Sequence, residues 1–235
     1  MEHPREPDAE TQALLISLKA FCFPGGDDAA RLVGGVKVTQ RGELCMEPGA
    51  RWMPFRAEQR IDARQSSFCW EARFGGKWFS SFGVTDAYEQ GRGRLVLKLG
   101  GVLPVKKFVG PDVDKGELQR YLSEWLMCPS ILLNHPSLEF TATGNRTLRV
   151  RDRKGPPGAT VDIEVGEEGR PVACRADRPR LVGKHSVLTP WTGTCQEFQE
   201  WQGLRVARRV EVCWHLAGGS FTYFRGEVTS YTPWH

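Results

Sequence analysis

Residues 55–61, FRAEQRI, and 67–74, SFCWEARF, decide how the chain folds. In the first, Phe55, Ala57, Gln59 and Ile61 alternate with charged Arg56, Glu58 and Arg60. In the second, Phe68, Trp70, Ala72 and Phe74 alternate with Ser67, Cys69, Glu71 and Arg73. Successive side chains of a strand point to opposite faces. This period of two therefore predicts strands with one buried and one wet face.

Strand signals continue on both sides. GGVKVTQRGELCM, from 34, reads as a strand, a turn at Arg41-Gly42 and a return. Lys77 to Val84, Ala87 to Glu89 and Arg94 to Leu99 extend the series, with Gly91, Gly93, Gly100 and Gly101 at the turns. From 138 the strands resume as Leu138–Thr143, Thr147–Asp152, Thr160–Val165, Pro171–Ala176, Cys195–Trp201, Val206–His215 and Phe221–Tyr231. Turn signals at roughly 8–12-residue intervals mark an all-β arrangement, whether curved sheet, sandwich or barrel.

Two amphipathic helices break the pattern. Residues 8–23 carry an apolar stripe of Leu14, Leu15, Leu18, Phe21 and Cys22, ended by Pro24-Gly25-Gly26. Residues 114–128 carry a second stripe, Leu118, Leu122, Trp125 and Leu126, stopped by Pro129. The predicted fold is mainly β (α+β), a curved antiparallel sheet or half-barrel in a single domain. Its parts are an N-terminal helical segment (1–33), a first meander (34–110), a lid helix (112–133) and a second meander (138–232).

Composition narrows the function. The chain has 235 residues, 40% hydrophobic and 26% charged, which excludes disordered, collagenous and membrane-embedded classes. The formal net charge is only +4, and acids interleave with bases throughout, so no nucleic-acid partner is expected. The first eight residues are polar and mostly acidic, and Ala13 to Phe23 is short and interrupted by Ser17 and Lys19. With no long apolar run there is no expectation of stable membrane insertion, and a cytoplasmic protein is expected. Seven scattered cysteines lack any CxxC pair, and His135, His185 and His215 lack metal-ligand spacing. No nucleotide-binding glycine motif or GxSxG elbow occurs, so no metal and no cofactor are expected.

Six blocks in order carry a resemblance: FRAEQRI (55–61), DAYEQGRGRLVLKLGGVLPV (86–105), DKGELQRYLSEWLMCPSILL (114–133), ADRPR (176–180), TPWTGTCQEFQEWQGLRV (189–206) and FTYFRGEV (221–228). Together they resemble an uncharacterised bacterial family of unknown function. The layout of helix, meander, helical lid and meander is similar to the half-barrel of LolA-like lipoprotein carriers. Those hold acyl chains between a curved sheet and a helical lid. The resemblance implies that fold and a hydrophobic ligand, and brings no activity with it.

Candidate site residues cluster on the mid-chain helix. Glu117, Arg120, Tyr121 and Glu124 fall at i, i+3, i+4 and i+7, beside the apolar stripe. They form either a solvated ion-pair ladder or the polar border of a cavity mouth. In the second case Glu124 or Glu117, with Tyr121, are candidate acid–base groups, since an apolar wall raises a carboxyl pKa. Trp125 is a candidate plug at one end of the sheet's concavity, its indole N–H needing an acceptor there. Trp70, Trp191 and Trp214 are candidate aromatic lining. Asp177 and Arg178, in ADRPR, form either a structural turn fixed by Pro179 or a fork for a carboxylate or phosphate head group. On the last strand Tyr223, Arg225 and Glu227 share one face; Arg209 and Glu211 oppose Val210, Val212 and Trp214 on the strand before. That charged face is either solvent-facing or the inner wall of a polar pocket.

The expected function is binding of a hydrophobic or lipid-like small molecule between sheet and lid. The alternatives are a cofactor-independent isomerase, cyclase or hydrolase acting on a hydrophobic substrate, and a partner-binding structural protein. Oligomeric state is left open.

Overall fold

The computed structural model describes residues 7–75, 80–183 and 185–235. The chain begins with α1 (Ala9–Cys22) and α2 (Asp28–Leu32). Six strands follow: β1 (Gly35–Leu44), β2 (Met53–Asp62), β3 (Phe68–Gly75), β4 (Ser80–Glu89), β5 (Arg92–Leu99) and β6 (Leu103–Phe108). A helical crossover holds α3 (Pro111–Tyr121), a 3-10 turn (Glu124–Leu126) and α4 (Ile131–Asn134). Seven more strands complete the fold: β7 (Leu138–Ala142), β8 (Thr147–Asp152), β9 (Thr160–Val165), β10 (Pro171–Val182), β11 (His185–Trp201), β12 (Leu204–Leu216) and β13 (Gly219–Trp234).

All thirteen described strands form one antiparallel sheet, in the order 6-5-4-3-2-1-13-12-11-10-9-8-7. Each meander pairs neighbour with neighbour, and pairing of β1 with β13 joins the two. The chain therefore leaves the sheet at the β6 edge and must re-enter at the opposite edge, β7. The crossover that spans this gap is α3, the 3-10 turn and α4, laid over one face. α3 packs on β4 and β5 of the first meander and on β10 of the second. β5 and β10 lie eight strand steps apart, roughly 38 Å on a flat sheet. A helix is only about 10–12 Å wide. One helix touches both strands because the sheet curls around it.

The alternation in FRAEQRI and SFCWEARF is the alternation of burial. Phe55, Ala57, Gln59 and Ile61 are buried and their charged neighbours exposed; Phe68, Trp70, Ala72 and Phe74 repeat the pattern. Four expectations need correction. No turn interrupts β1 at Arg41-Gly42. The strand runs on because Gly42 lies under its neighbours: a Cβ there would stand 2.0 Å from the Arg225 carbonyl and 2.7 Å from the Phe55 ring. Ala87 to Glu89 is the end of β4 rather than a separate strand; the expected strand start at Lys77 lies outside the described residues. The helix expected over 114–128 starts at Pro111 and ends at Tyr121. Beyond Tyr121 the bonds shorten to i→i+3, from Ser123 N to Arg120 O (2.9 Å) and from Leu126 N to Ser123 O (3.3 Å). Finally, ADRPR is not a turn but part of β10. β9 pairs with β10 only as far as Arg175, so Pro179 sits on an edge where no donor is needed.

No described helix is long and apolar enough to cross a membrane. All seven cysteines are free.

Candidate functional site

The curl of the sheet around α3 leaves a cavity of about 670 Å3 on the concave face. Both meanders build its apolar wall: Val84 and Leu97 from one, Val212, Trp214 and Phe224 from the other. α3 is fastened at both sides. Asp114 accepts from the Gly93 backbone at 2.7 Å and from Arg92 at 3.0 Å. Gly93 lets helix and strand approach: a Cβ there would stand 2.5 Å from the Val113 carbonyl. On the other side Arg178 donates to the Gly116 carbonyl at 2.7 Å, and Gln119 to the Asp177 carbonyl at 3.0 Å.

One side of the cavity is polar. A row of donors runs from the Trp70 indole to Gln40 (2.8 Å), from Gln40 to Gln59 (3.2 Å), and from Gln59 to Glu124 (2.7 Å). Arg120 donates to Glu124 at 3.3 Å and to Asp86. Its guanidinium lies over the rings of Phe68 (4.8 Å) and Trp70 (5.1 Å), which favours its charge. Burial opposes that charge, but Asp86 and Glu124 outweigh it and hold the Arg120 pKa above its ordinary value.

Glu117 is different. It makes no ion pair among the described residues, and its Oε2 is buried with no donor, as is Oδ1 of Asp86. The Asp86 carboxyl lies close enough to act on that of Glu117. Burial first, then the Asp86 charge, push the Glu117 carboxyl well above the carboxylate range, against the pull of Arg178 and Arg120. Burial also raises Glu124, opposed by Arg120 and Gln59. Among the described residues no group of His, Cys, Asp or Glu is arranged to hold a metal ion.

The cavity wall includes Glu117, Arg120, Glu124, Trp70, Arg178, Trp191, Trp214 and Tyr223 from among the sequence candidates. The remaining four lie elsewhere. Tyr121 is fully buried and its hydroxyl donates to the Asp62 carbonyl at 2.9 Å, so it does not line the cavity with Glu117 and Glu124. Trp125 is buried in the core rather than at the concavity's end, and its indole N–H has no acceptor among the described residues. Asp177 borders a separate polar hollow of about 230 Å3, with Lys115 and Arg149. Arg225 is on the outer surface, paired with Glu211 at 3.2 Å and stacked on Trp52 at 4.6 Å.

The charged face of the last hairpin is thus the convex one, where Glu227 also pairs with Arg41 and Arg208. Tyr223 does not share it. Val212 opposes Phe224 and Cys213 opposes Thr222, so Tyr223 is the extra residue of a β-bulge. The bulge turns both Tyr223 and Phe224 into the cavity.

Gln40, Gln59 and Asp86 were not expected as site residues. Gln59 had a signal: a polar residue in an inward slot of an alternating strand needs a buried partner. Asp86 had none, because its partner Arg120 is 34 residues away in sequence.

Residues 21–226 match a protein family of unknown function, DUF6544. No curated protein sequence matches the chain. Among solved structures, a LolA superfamily protein from Nitrosomonas europaea superposes with TM-score 0.54 at 10% identity, covering 96% of this chain and 94% of that one. A DUF1329 family protein from Desulfovibrio piger gives 0.54 at 9%, with 96% and 94% covered. A domain described as an outer membrane lipoprotein-sorting protein from Vibrio parahaemolyticus gives 0.52 at 11%, with 95% and 92% covered. At such identities the likeness is one of fold: a LolA-like curved sheet over a helical crossover.

Proposed function

We propose that this chain, which belongs to the DUF6544 family of unknown function, holds a hydrophobic, lipid-like small molecule in the cavity between its curved sheet and α3. The observation that carries this reading is the cavity itself. Its volume of about 670 Å3 falls within the roughly 300–1,000 Å3 of small-molecule sites. Its walls are aliphatic and aromatic, and one side is polar enough to orient a ligand. Val109 and Leu181, 60% and 50% exposed, stand at its border and extend the apolar surface outward. The likeness to a lipoprotein-sorting domain supports the same reading.

Native mass spectrometry of gently purified protein, with titration of the apolar dye N-phenyl-1-naphthylamine, tests it. The expected results are one bound adduct and saturable dye uptake. Val212→Trp, which fills the cavity from β12, should abolish the uptake while the protein stays folded. No adduct and no dye uptake by the native chain would overturn the reading.

A second reading, a cofactor-independent acid–base enzyme acting on a hydrophobic substrate, draws on Asp86 and Glu117. A buried carboxyl raised above its ordinary range, beside a second carboxyl, is a candidate proton donor. Tyr121 has no part in this version, since its hydroxyl is engaged by Asp62. Release of a chemically altered ligand would favour it, and recovery of the ligand unchanged would favour binding alone.

A further inference from the structure

The wall of the cavity contains a buried cation that forms no ion pair among the described residues. Arg178, on β10, is 7% exposed. It forms no ion pair among the described residues, donates only to the Gly116 carbonyl, and keeps its Nε–H buried without an acceptor. A guanidinium has five N–H donors in one plane. Here that plane is held by aromatic faces, with Trp191 at 4.9 Å and Trp214 at 6.0 Å. Such stacking steadies the charge but satisfies none of the N–H groups. A buried charge without a counter-ion is costly.

Its surroundings are short of acceptors as well. Trp191 donates its indole N–H to the Tyr223 hydroxyl at 3.1 Å. That hydroxyl oxygen is thereby engaged, while its own O–H has no acceptor among the described residues. Of the other guanidiniums in the cavity wall, Arg120 is taken up by Asp86 and Glu124, and Arg180 donates to the Thr189 hydroxyl at 3.4 Å. Glu117 feels the Arg178 charge but forms no ion pair with it among the described residues. The corner formed by β10, β11 and β13 thus presents donors from Arg178 and Tyr223 to the cavity, with no carboxylate of the described residues paired to Arg178.

We propose that Arg178 and Tyr223 form an anion-binding corner, and that the ligand is an amphiphile whose carboxylate or phosphate head group docks there while its chain fills the cavity. This rests on the hydrophobic-ligand reading above and adds the chemistry of the head. Guanidinium forks match both oxyanions in a bidentate manner. The aliphatic wall of Val84, Leu97 and Val212 accepts the chain.

Displacement of N-phenyl-1-naphthylamine by hexadecanoate, hexadecyl phosphate, hexadecanol and hexadecylamine tests the proposal, with acetate and inorganic phosphate as chain-free arms. The native chain should bind one or both anionic amphiphiles about tenfold or more tighter than the alcohol, as expected for a charge-assisted hydrogen bond. Arg178→Gln should bring the affinities for acid and alcohol close together. Tyr223→Phe should narrow the ratio partially. Equal binding of acid and alcohol by the native chain overturns the proposal and leaves the pocket reading standing. Tighter binding of the amine, or competition by acetate or phosphate as strong as by the amphiphiles, also overturns it. Failure of all four amphiphiles to displace the dye defeats the pocket reading instead. Because the native acid-to-alcohol ratio needs no variant, the test survives even if Arg178→Gln does not fold.

Discussion

Gln59 and Glu124 meet across the concave face: the Gln59 side-chain amide, on β2, donates to the Glu124 carboxylate at 2.7 Å. Both side chains are buried. Gln59 in turn accepts from Gln40, and Gln40 from the Trp70 indole. Every donor in this row points towards Glu124, so the row favours negative charge there and fixes the turn after α3 onto the sheet.

Gln59→Leu keeps the volume and removes both ends of that link. Glu124 loses its shortest hydrogen bond, and Gln40 is left donating only to the Met127 sulfur at 3.2 Å. The expected loss is about 1–3 kcal/mol, the range for a buried polar group left unpaired. Urea unfolding measures it against Glu58→Gln, an exposed neighbour on the same strand. Equal stability of the two variants would show that the row contributes nothing.

Glu117 makes stability fall with rising pH. Burial and Asp86 keep its carboxyl protonated in the folded chain, well above the ordinary range, although Arg178 and Arg120 pull the other way. An unfolded glutamate releases its proton near pH 4.3, a value of about that size being typical. Between that pH and the raised folded value the native state binds more protons than the unfolded one, so stability declines as pH rises. Glu117→Gln is neutral at every pH and removes this loss. Its stability relative to the native chain should grow across urea titrations from acid to mildly alkaline pH. Parallel curves would mean that Glu117 is ionised in the fold.

The sheet was legible in the sequence because alternation such as FRAEQRI is a direct record of burial. The crossover helix was legible through Leu118 and Leu122, and the apolar, aromatic wall through the tryptophans. What escaped has local physical causes. The bulge at Tyr223 turns two consecutive residues the same way, which a period of two assigns to opposite faces. Gly42 mimics a turn residue, yet it is glycine because a neighbouring strand and the Phe55 ring press on it. Tyr121 shares a stripe with Glu117 and Arg120, but helix stripes are about 100° wide, and Tyr121 falls on the core side. The pairing of Asp86 with Arg120 depends on β4 and α3 meeting in space, which spacing along the chain does not record.

Gly42 guards the join between the meanders. It pairs with Gly226 of β13 on one side and Phe55 of β2 on the other. Gly42→Val would drive its Cβ into the Arg225 carbonyl, which as backbone cannot swing aside. The expected result is loss of β1–β13 pairing, seen as fast amide exchange in both strands and a marked drop in folded yield. Gly49→Val, at an open turn with nothing near its Cβ, separates general glycine effects from the clash, although its positive φ adds some strain of its own. Full amide protection in Gly42→Val would show that the strands separate readily to admit a side chain.

Trp125 tests whether the crossover is packed or merely laid over the sheet. It is 2% exposed, on the 3-10 turn that follows α3, among the buried core with Leu118 and Leu122. It does not line the cavity, so Trp125→Ala opens a void in the core rather than enlarging the ligand site. Such a void costs about 3–5 kcal/mol where the surroundings cannot collapse. For a chain of this size that corresponds to a melting temperature roughly 6–20 °C lower. Trp125→Phe should be milder, since it keeps most of the packing. Dye affinity at the main cavity should be the same in both variants wherever they are folded. An unchanged melting temperature in Trp125→Ala would mean that the ring faces water, and that α3 and its following turn do not close the concave face.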